Sequence, residues 1–221
     1  MSAIVFDLDG TLIDSAPDLH AAGLKMLAAE GLPGVTIDQT RSFIGNGVPK
    51  LVERLMGAVD LPTDPERHKA MTESFLRFYN AEPALRTELY PGARAALEAL
   101  AAQGHKLGLC TNKPEGPARV IVEAFGLDDL LPVIIGGDSL AVKKPDPAPL
   151  KAAYEALGAK TGIYVGDSEV DAATAQAFGV PFLFFTEGYR KSPVDQIPHT
   201  EKFDHFSALV GLVADQEETT A

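Results

Sequence analysis

Ala3-Ile4-Val5-Phe6-Asp7-Leu8-Asp9-Gly10-Thr11-Leu12 decides the fold of this chain. Four apolar residues, some β-branched or aromatic, run directly into acid and glycine, so Ala3–Phe6 reads as a short buried strand. Side chains two apart in an extended chain point the same way. Asp7 and Asp9 therefore lie together at the strand's carboxyl end, and in open α/β sheets that edge is where ligands bind. Gly10 lets the chain turn sharply, and Thr11 can hydrogen-bond locally. An Asx-rich turn is the plain alternative, but Asp-x-Asp-Gly-Thr is a specific string and favours a functional pair.

Similar short apolar runs recur at Leu107–Cys110, Val133–Ile135, Ile163–Val165 and Phe182–Phe185. Helical patterns separate them, at Ala93–Ala102, Ala118–Phe125, Ala148–Leu157 and Val170–Phe178. Gly104, Gly126, Gly158 and Gly179 follow these as C-terminal stops. Strand–helix alternation with nearly continuous apolar strands predicts an α/β fold: a Rossmann-like parallel sheet with helices on both faces.

The first strand interrupts that rhythm, because residues 15 to about 84 read as helical throughout. Ser15, with Asp18 three residues on, suits a helix N-terminus running to about Glu30. Thr36 with Gln39 repeats the pattern. Gly45-Asn46-Gly47 is a turn, Pro49 fits the first turn of the next helix, and Asp64-Pro65 starts another. Met71, Phe75 and Phe78 form an apolar stripe on that last helix, read as cap core. The expected division is residues 1–14 and 85–221 as the α/β core and 15–84 as a small all-α cap inserted after the first strand. The acidic and polar tail, 215–221, is expected to fray.

The charge balance, 31 acids against 19 bases for a formal −12, repels nucleic acid and anionic membrane surfaces. The expectation is no nucleic-acid and no membrane partner, and a monomer or homodimer. The longest apolar run, Val180–Phe185, is far too short to cross a bilayer. No basic stretch precedes a long apolar one at the N-terminus, so no signal peptide is expected. A lone cysteine, Cys110, excludes an intramolecular disulfide and reads as a core residue of a cytoplasmic protein.

Three more polar signals fall at strand ends. Thr111 and Asn112 could hold a phosphate oxygen, although a simple turn explains that pair equally well. Lys143-Lys144-Pro145 offers a point charge for an anion, and Pro145 fixes the backbone of Lys144 in extended geometry; solvated surface lysines are the plain reading. Gly166-Asp167-Ser168 with Asp171 follows another strand, and both acids could merely cap the next helix. Acids converging on one edge repel by about 4 kcal/mol per close pair at an effective dielectric near 20. A divalent cation removes that difficulty, and an all-oxygen donor set suits magnesium better than zinc.

These residues resemble the haloacid dehalogenase superfamily of phosphohydrolases: Asp-Leu-Asp-Gly-Thr-Leu at 7–12, Thr111, Lys144 before a proline, and Gly166-Asp167-Ser168 with Asp171. The four motifs stand in the family's order and span most of the chain. Asp-Ser-Ala-Pro-Asp-Leu at 14–19, Phe-Ile-Gly-Asn-Gly at 43–47, Thr-Asn-Lys-Pro at 111–114 and Lys-Lys-Pro-Asp-Pro-Ala-Pro-Leu at 143–150 look more narrowly like bacterial phosphoglycolate phosphatases. That resemblance implies a small phosphorylated metabolite as partner, with 2-phosphoglycolate hydrolysed to glycolate and phosphate.

The resemblance also implies roles. Asp7 attacks phosphorus and carries an aspartyl-phosphate, and Asp9 serves as acid and then base. Mg2+ is held by the Asp7 side chain, the Asp9 carbonyl and Asp167, with Asp171 behind them. Thr111, Asn112 and Lys144 hold the phosphoryl group. Gly45, Asn46 and Gly47 form the expected specificity loop. Arg41, Lys50 or Lys113 could meet a substrate carboxylate, although each alone reads as surface charge; His20 and His68 read as cap-surface or packing residues. Another small phosphate ester, pyrophosphate, a sugar phosphomutase activity and a phospho-receiver signalling module are the alternatives. The acid at position 9 and the inserted cap disfavour the last.

Overall fold

A computed structural model describes residues 2–220 of the chain, which forms two compact units, Ser15–Glu88 and Met1–Asp14 with Leu89–Ala221. The first unit contains α1 (Ala16–Ala29), α2 (Ile37–Phe43), α3 (Val48–Ala58) and α4 (Pro65–Ala81). Thr36 and Gln39 close a reciprocal capping box on α2, Pro49 lies in the first turn of α3, and Asp64 caps α4 through Arg67 N.

Two expectations for this unit fail. Ser15 makes no side-chain cap on α1. Asp18 accepts instead from Arg86 N, Thr87 N and Thr87 Oγ1, each at 2.8 Å, tying α1 to the segment after α4. A buried carboxylate gains more from three donors than from one helix terminus. The α4 stripe is Met71, Phe75 and Tyr79, with Phe78 only half buried. Met71, Phe75 and Tyr79 span a narrow arc centred on Phe75, and Phe78 lies just outside its edge.

The second unit holds β1 (Ala3–Phe6), β2 (Lys106–Cys110), β3 (Val133–Ile135), β4 (Gly162–Gly166), β5 (Phe182–Phe185) and β6 (Glu201–Phe203). All pair in parallel, in the order β3-β2-β1-β4-β5-β6. The strand order reverses at β1, the doubly wound arrangement that opens a crevice at the carboxyl ends. Its helices are α5 (Ala93–Ala102), α6 (Glu115–Ala124), α7 (Ala148–Ala156), α8 (Glu169–Phe178) and α9 (Leu209–Thr220). One face of the sheet buries Val5, Cys110, Tyr164, Phe182 and Phe184 beneath Leu150, Ala153, Tyr154, Ala172 and Ala175 of α7 and α8. On the other, Phe185, Phe203 and Phe206 pack with ring centroids 5.0–5.4 Å apart.

The sequence pattern missed β6, whose Glu201 and Lys202 are exposed. A short charged strand is a common way to end a sheet. The tail expected to fray is helical in its described part: α9 continues through Thr220, Ser2 Oγ donates to Glu217 at 2.7 Å, and Ala221 lies outside the described residues. Among the described residues no helix is long and apolar enough to cross a membrane.

Candidate active site

Register places the polar residues. Phe6 pairs with Leu109 on one side and Val165 on the other. Asp7 therefore stands level with Cys110 and Gly166, and Thr111 and Asp167 come one residue later on the flanking strands. Asp7 N donates to Val165 O at 2.9 Å and Thr111 N to Ile135 O at 2.9 Å, fixing these exits. Asp7, Asp167 and Asp171, all buried, each offer a carboxylate oxygen within 4.8 Å of the others.

Lys144 stands among them with its side chain 1% exposed, while Lys143 is exposed. Its Nζ lies 3.0 Å from Asp7 Oδ1 and 2.7 Å from Asp171 Oδ1, and it donates to Tyr164 Oη at 2.8 Å. Tyr164 Oη lies within donating distance of both Asp171 Oδ1, 2.9 Å, and Cys110 O, 3.0 Å. Asp171 Oδ2 accepts from Ser168 N, Ser168 Oγ and Asp167 N at 3.1, 2.6 and 3.3 Å. Helix capping falls to Ser168 and Asp171, so Asp167 does not cap α8.

Asp167 is held differently. Thr11 Oγ1 donates to Oδ1 at 2.7 Å and Tyr189 N to Oδ2 at 2.6 Å. Tyr189 also reaches Asp14 Oδ1 through its hydroxyl at 2.6 Å. The chain passes so close that a Cβ on Gly10 or Gly188 would run into the Asp167 carboxylate, and Gly10 has φ 88°.

Burial is the largest influence on these acids. It raises the Asp7 carboxyl to about 6, against the partial relief of Lys144 and with Asp171 adding to the rise. Asp167 is pushed well above the ordinary carboxylate range by burial and by Asp171 and Asp7. For Lys144 burial acts downward, but the charges of Asp171 and Asp7 outweigh it and keep the ammonium protonated. Burial lifts the Cys110 thiol to about 12, as befits an inert core residue.

With all three carboxylates ionised against one ammonium, two negative charges would go uncompensated in a buried cluster, the charge a divalent cation supplies. Asp7 Oδ1, despite its nearness to Lys144, receives no well-aligned hydrogen bond. An all-carboxylate donor set with a buried oxygen lacking such a bond fits a hard cation such as Mg2+.

Asn112 Nδ2 donates to Lys144 O at 3.1 Å, so Asn112 braces the lysine loop. Lys113, read as surface charge, is buried, and its Nζ lies 2.9 and 3.2 Å from the two oxygens of Asp9. A stem folded inward to meet an acid is invisible in sequence. Arg41 and Lys50 are half-exposed and face Asp38 and Glu53 of their own helices. Gly45, Asn46 and Gly47 belong to the helical unit, in the α2–α3 turn, where Arg54 donates to Phe43 O and Asn46 Oδ1 at 2.6 and 2.9 Å. His20 faces Thr40 Oγ1 at 3.0 Å, and His68 faces Pro49 O at 2.8 Å.

The family described as haloacid dehalogenase-like hydrolase matches residues 4–185, and the chain belongs to it. It is 51% identical to a phosphoglycolate phosphatase of Cereibacter sphaeroides, across 96% of this chain and 98% of that protein. A phosphoglycolate phosphatase of Rhodobacter capsulatus is 43% identical, covering 96% of each. Among solved structures, a protein described as a predicted phosphoglycolate phosphatase from Haemophilus somnus superposes with a TM-score of 0.90 at 32% identity, over 96% of this chain and 97% of that one. The chain is an enzyme, and the phosphoric monoester hydrolase class read from its sequence agrees with the names these relatives carry.

Proposed function

We propose that this hydrolase is a magnesium-dependent phosphatase that acts through Asp7 and takes 2-phosphoglycolate as its substrate. The observation that carries the reading is the buried meeting of Asp7, Asp167 and Asp171 around Lys144. The names of relatives matched over nearly their whole length support the substrate.

Asp7 attacks phosphorus in line and becomes an aspartyl-phosphate. Asp9 gives a proton to the departing alkoxide, then takes one from the water that cleaves the intermediate. Asp7, Asp167 and the Asp9 carbonyl would hold Mg2+, which neutralises charge on the phosphoryl oxygens. Both oxygens of Asp171 already accept hydrogen bonds, so Asp171 orients Lys144 instead. Lys144, Thr111 and the backbone N–H of Asn112 hold the phosphoryl oxygens, and Gly45, Asn46 and Gly47 read the remainder of the substrate. The cap of helices α1–α4 excludes water. The enzyme works in the cytoplasm on a small phosphorylated metabolite, as a monomer or homodimer.

Phosphate release from a panel of small esters, pyrophosphate included, tests the proposal. We expect 2-phosphoglycolate to be preferred, turnover to need Mg2+, and Asp7→Asn to abolish both turnover and labelling by substrate phosphate. An Asp7→Asn enzyme of near-normal activity, or turnover undisturbed by a chelator, overturns it.

A further inference from the structure

Lys113, buried against Asp9, has no part in that scheme, and a buried ammonium is seldom retained unless its partner gains from it. Lys113 has a side chain 2% exposed and meets both oxygens of Asp9, at 2.9 and 3.2 Å, while Asp9 keeps a 14% exposed edge. The lysine backbone is pinned on both sides. Its N–H donates to Thr111 Oγ1 at 3.2 Å, and its carbonyl accepts from Gly137 N at 2.8 Å. Gly137 has no room for a side chain, because a Cβ there would run into Asn112 O. Asp9 itself sits in the tight turn in which Leu8 O accepts from Thr11 N, Leu12 N and Ile13 N at 3.2, 3.0 and 3.2 Å. Two rigid loops thus present an ammonium and a carboxylate to each other, and contact with both oxygens restrains rotation of the carboxylate.

We propose that Lys113 is a positioning residue: its ammonium holds the Asp9 carboxyl in the orientation from which it protonates the leaving oxygen. This rests on the proposed role of Asp9. In that step the bond from phosphorus to the ester oxygen breaks, the Asp9 proton moves onto that oxygen to give the alcohol, and the carboxylate left behind stays against Lys113. Holding a general acid in reach is worth as much as the acid itself, since misplacement by an ångström forfeits most of the transfer.

Leaving-group dependence tests this. The alkoxides of 2-phosphoglycolate and ethyl phosphate need a proton, whereas 4-nitrophenolate leaves without one. Lys113→Met is expected to lower kcat/KM on both alkyl esters by about 100-fold, the usual contribution of general acid catalysis, and on 4-nitrophenyl phosphate by less than about threefold. Lys113→Arg is expected to recover most of the alkyl activity, which also guards against a variant that fails to fold. Equal losses on alkyl and aryl esters overturn the proposal in favour of a purely structural ion pair. A raised KM for 2-phosphoglycolate with ethyl phosphate unaffected overturns it in favour of a ligand for the substrate carboxylate. Failure of the phosphatase reading itself appears elsewhere, as a wild-type protein that releases phosphate from none of the three esters, and it removes the role of Lys113 with it.

Discussion

Asp7→Asn is expected to stabilise the metal-free protein while ending its activity. Asparagine keeps the shape, leaves the bond from the residue's N–H to Val165 O intact, and leaves Lys144 paired with Asp171 at 2.7 Å. What disappears is a buried charge. Asp7 ionises at about 6 instead of 3.8. That difference costs the folded state about 3 kcal/mol once the carboxyl is fully ionised, at 1.36 kcal/mol per tenfold change in proton affinity. The sign follows from linkage: a raised carboxyl pKa makes the folded state bind more protons than the unfolded one between 3.8 and about 6. Wild-type stability therefore falls as pH climbs through that window. The asparagine variant escapes this loss, so its advantage is small below pH 4, about half its full size near pH 5, and complete by pH 8. For a chain of this length about 3 kcal/mol corresponds to roughly 6–12 °C in Tm. Thermal melts with a chelator at pH 5 and pH 8 measure it. Added Mg2+ at about 100 times its Kd returns roughly 2.7 kcal/mol to the wild type and less to a variant that has lost a ligand, closing the gap. A variant less stable than wild type at pH 8 without metal, or a gap equal at both pH values, would refute the reasoning.

Gly10→Ala sets a Cβ against the Asp167 carboxylate at φ 88° and is expected to raise the Mg2+ concentration needed for turnover by about tenfold or more, read from activity against metal concentration. Thr11→Val removes the hydroxyl on Asp167 Oδ1, leaves the fold in place, and should raise the apparent Mg2+ constant by about 10–100-fold. Asp18→Ala strands the amides of Arg86 and Thr87 and should cost the helical unit about 2–4 kcal/mol, seen as a lower denaturant midpoint. Phe75→Ala empties the centre of the α4 stripe, with an expected loss of about 3–5 kcal/mol by the same assay.

Much of the core was readable because parallel strands buried on both faces leave short, unbroken apolar runs. Ala3–Phe6, Val133–Ile135 and Phe182–Phe185 begin and end where composition says they should. The meeting of Asp7 with Asp167 followed from the parallel α/β reading, since both acids leave strands at the same edge. What stayed hidden depends on side-chain direction. Lys113 reads as one more basic residue until its stem is seen turning inward to Asp9. Tyr164 reads as part of an apolar strand, yet its hydroxyl joins Lys144 and Asp171. Tyr189 reaches Asp167 through a backbone amide, which no residue type announces. Asp18 resembled a helix cap because the partners it prefers lie 68 and 69 residues further on.

The burial of β1 on both faces has a consequence for how the sheet finds its frame. In a half-exposed strand the alternation of apolar and polar residues forbids a slip of one position. Ala3, Ile4, Val5 and Phe6 are all buried and all apolar, so a slip among them buries no polar group and is opposed by packing alone. The first strong objection comes at Asp7, which a slip would drive inward away from Lys144, leaving Leu8 in its place. The acids at the rim thus act as end-stops for the central strand. A chain stripped of them, with Asp7 and Lys144 both made apolar, would lose the marker that tells its central strand where to halt.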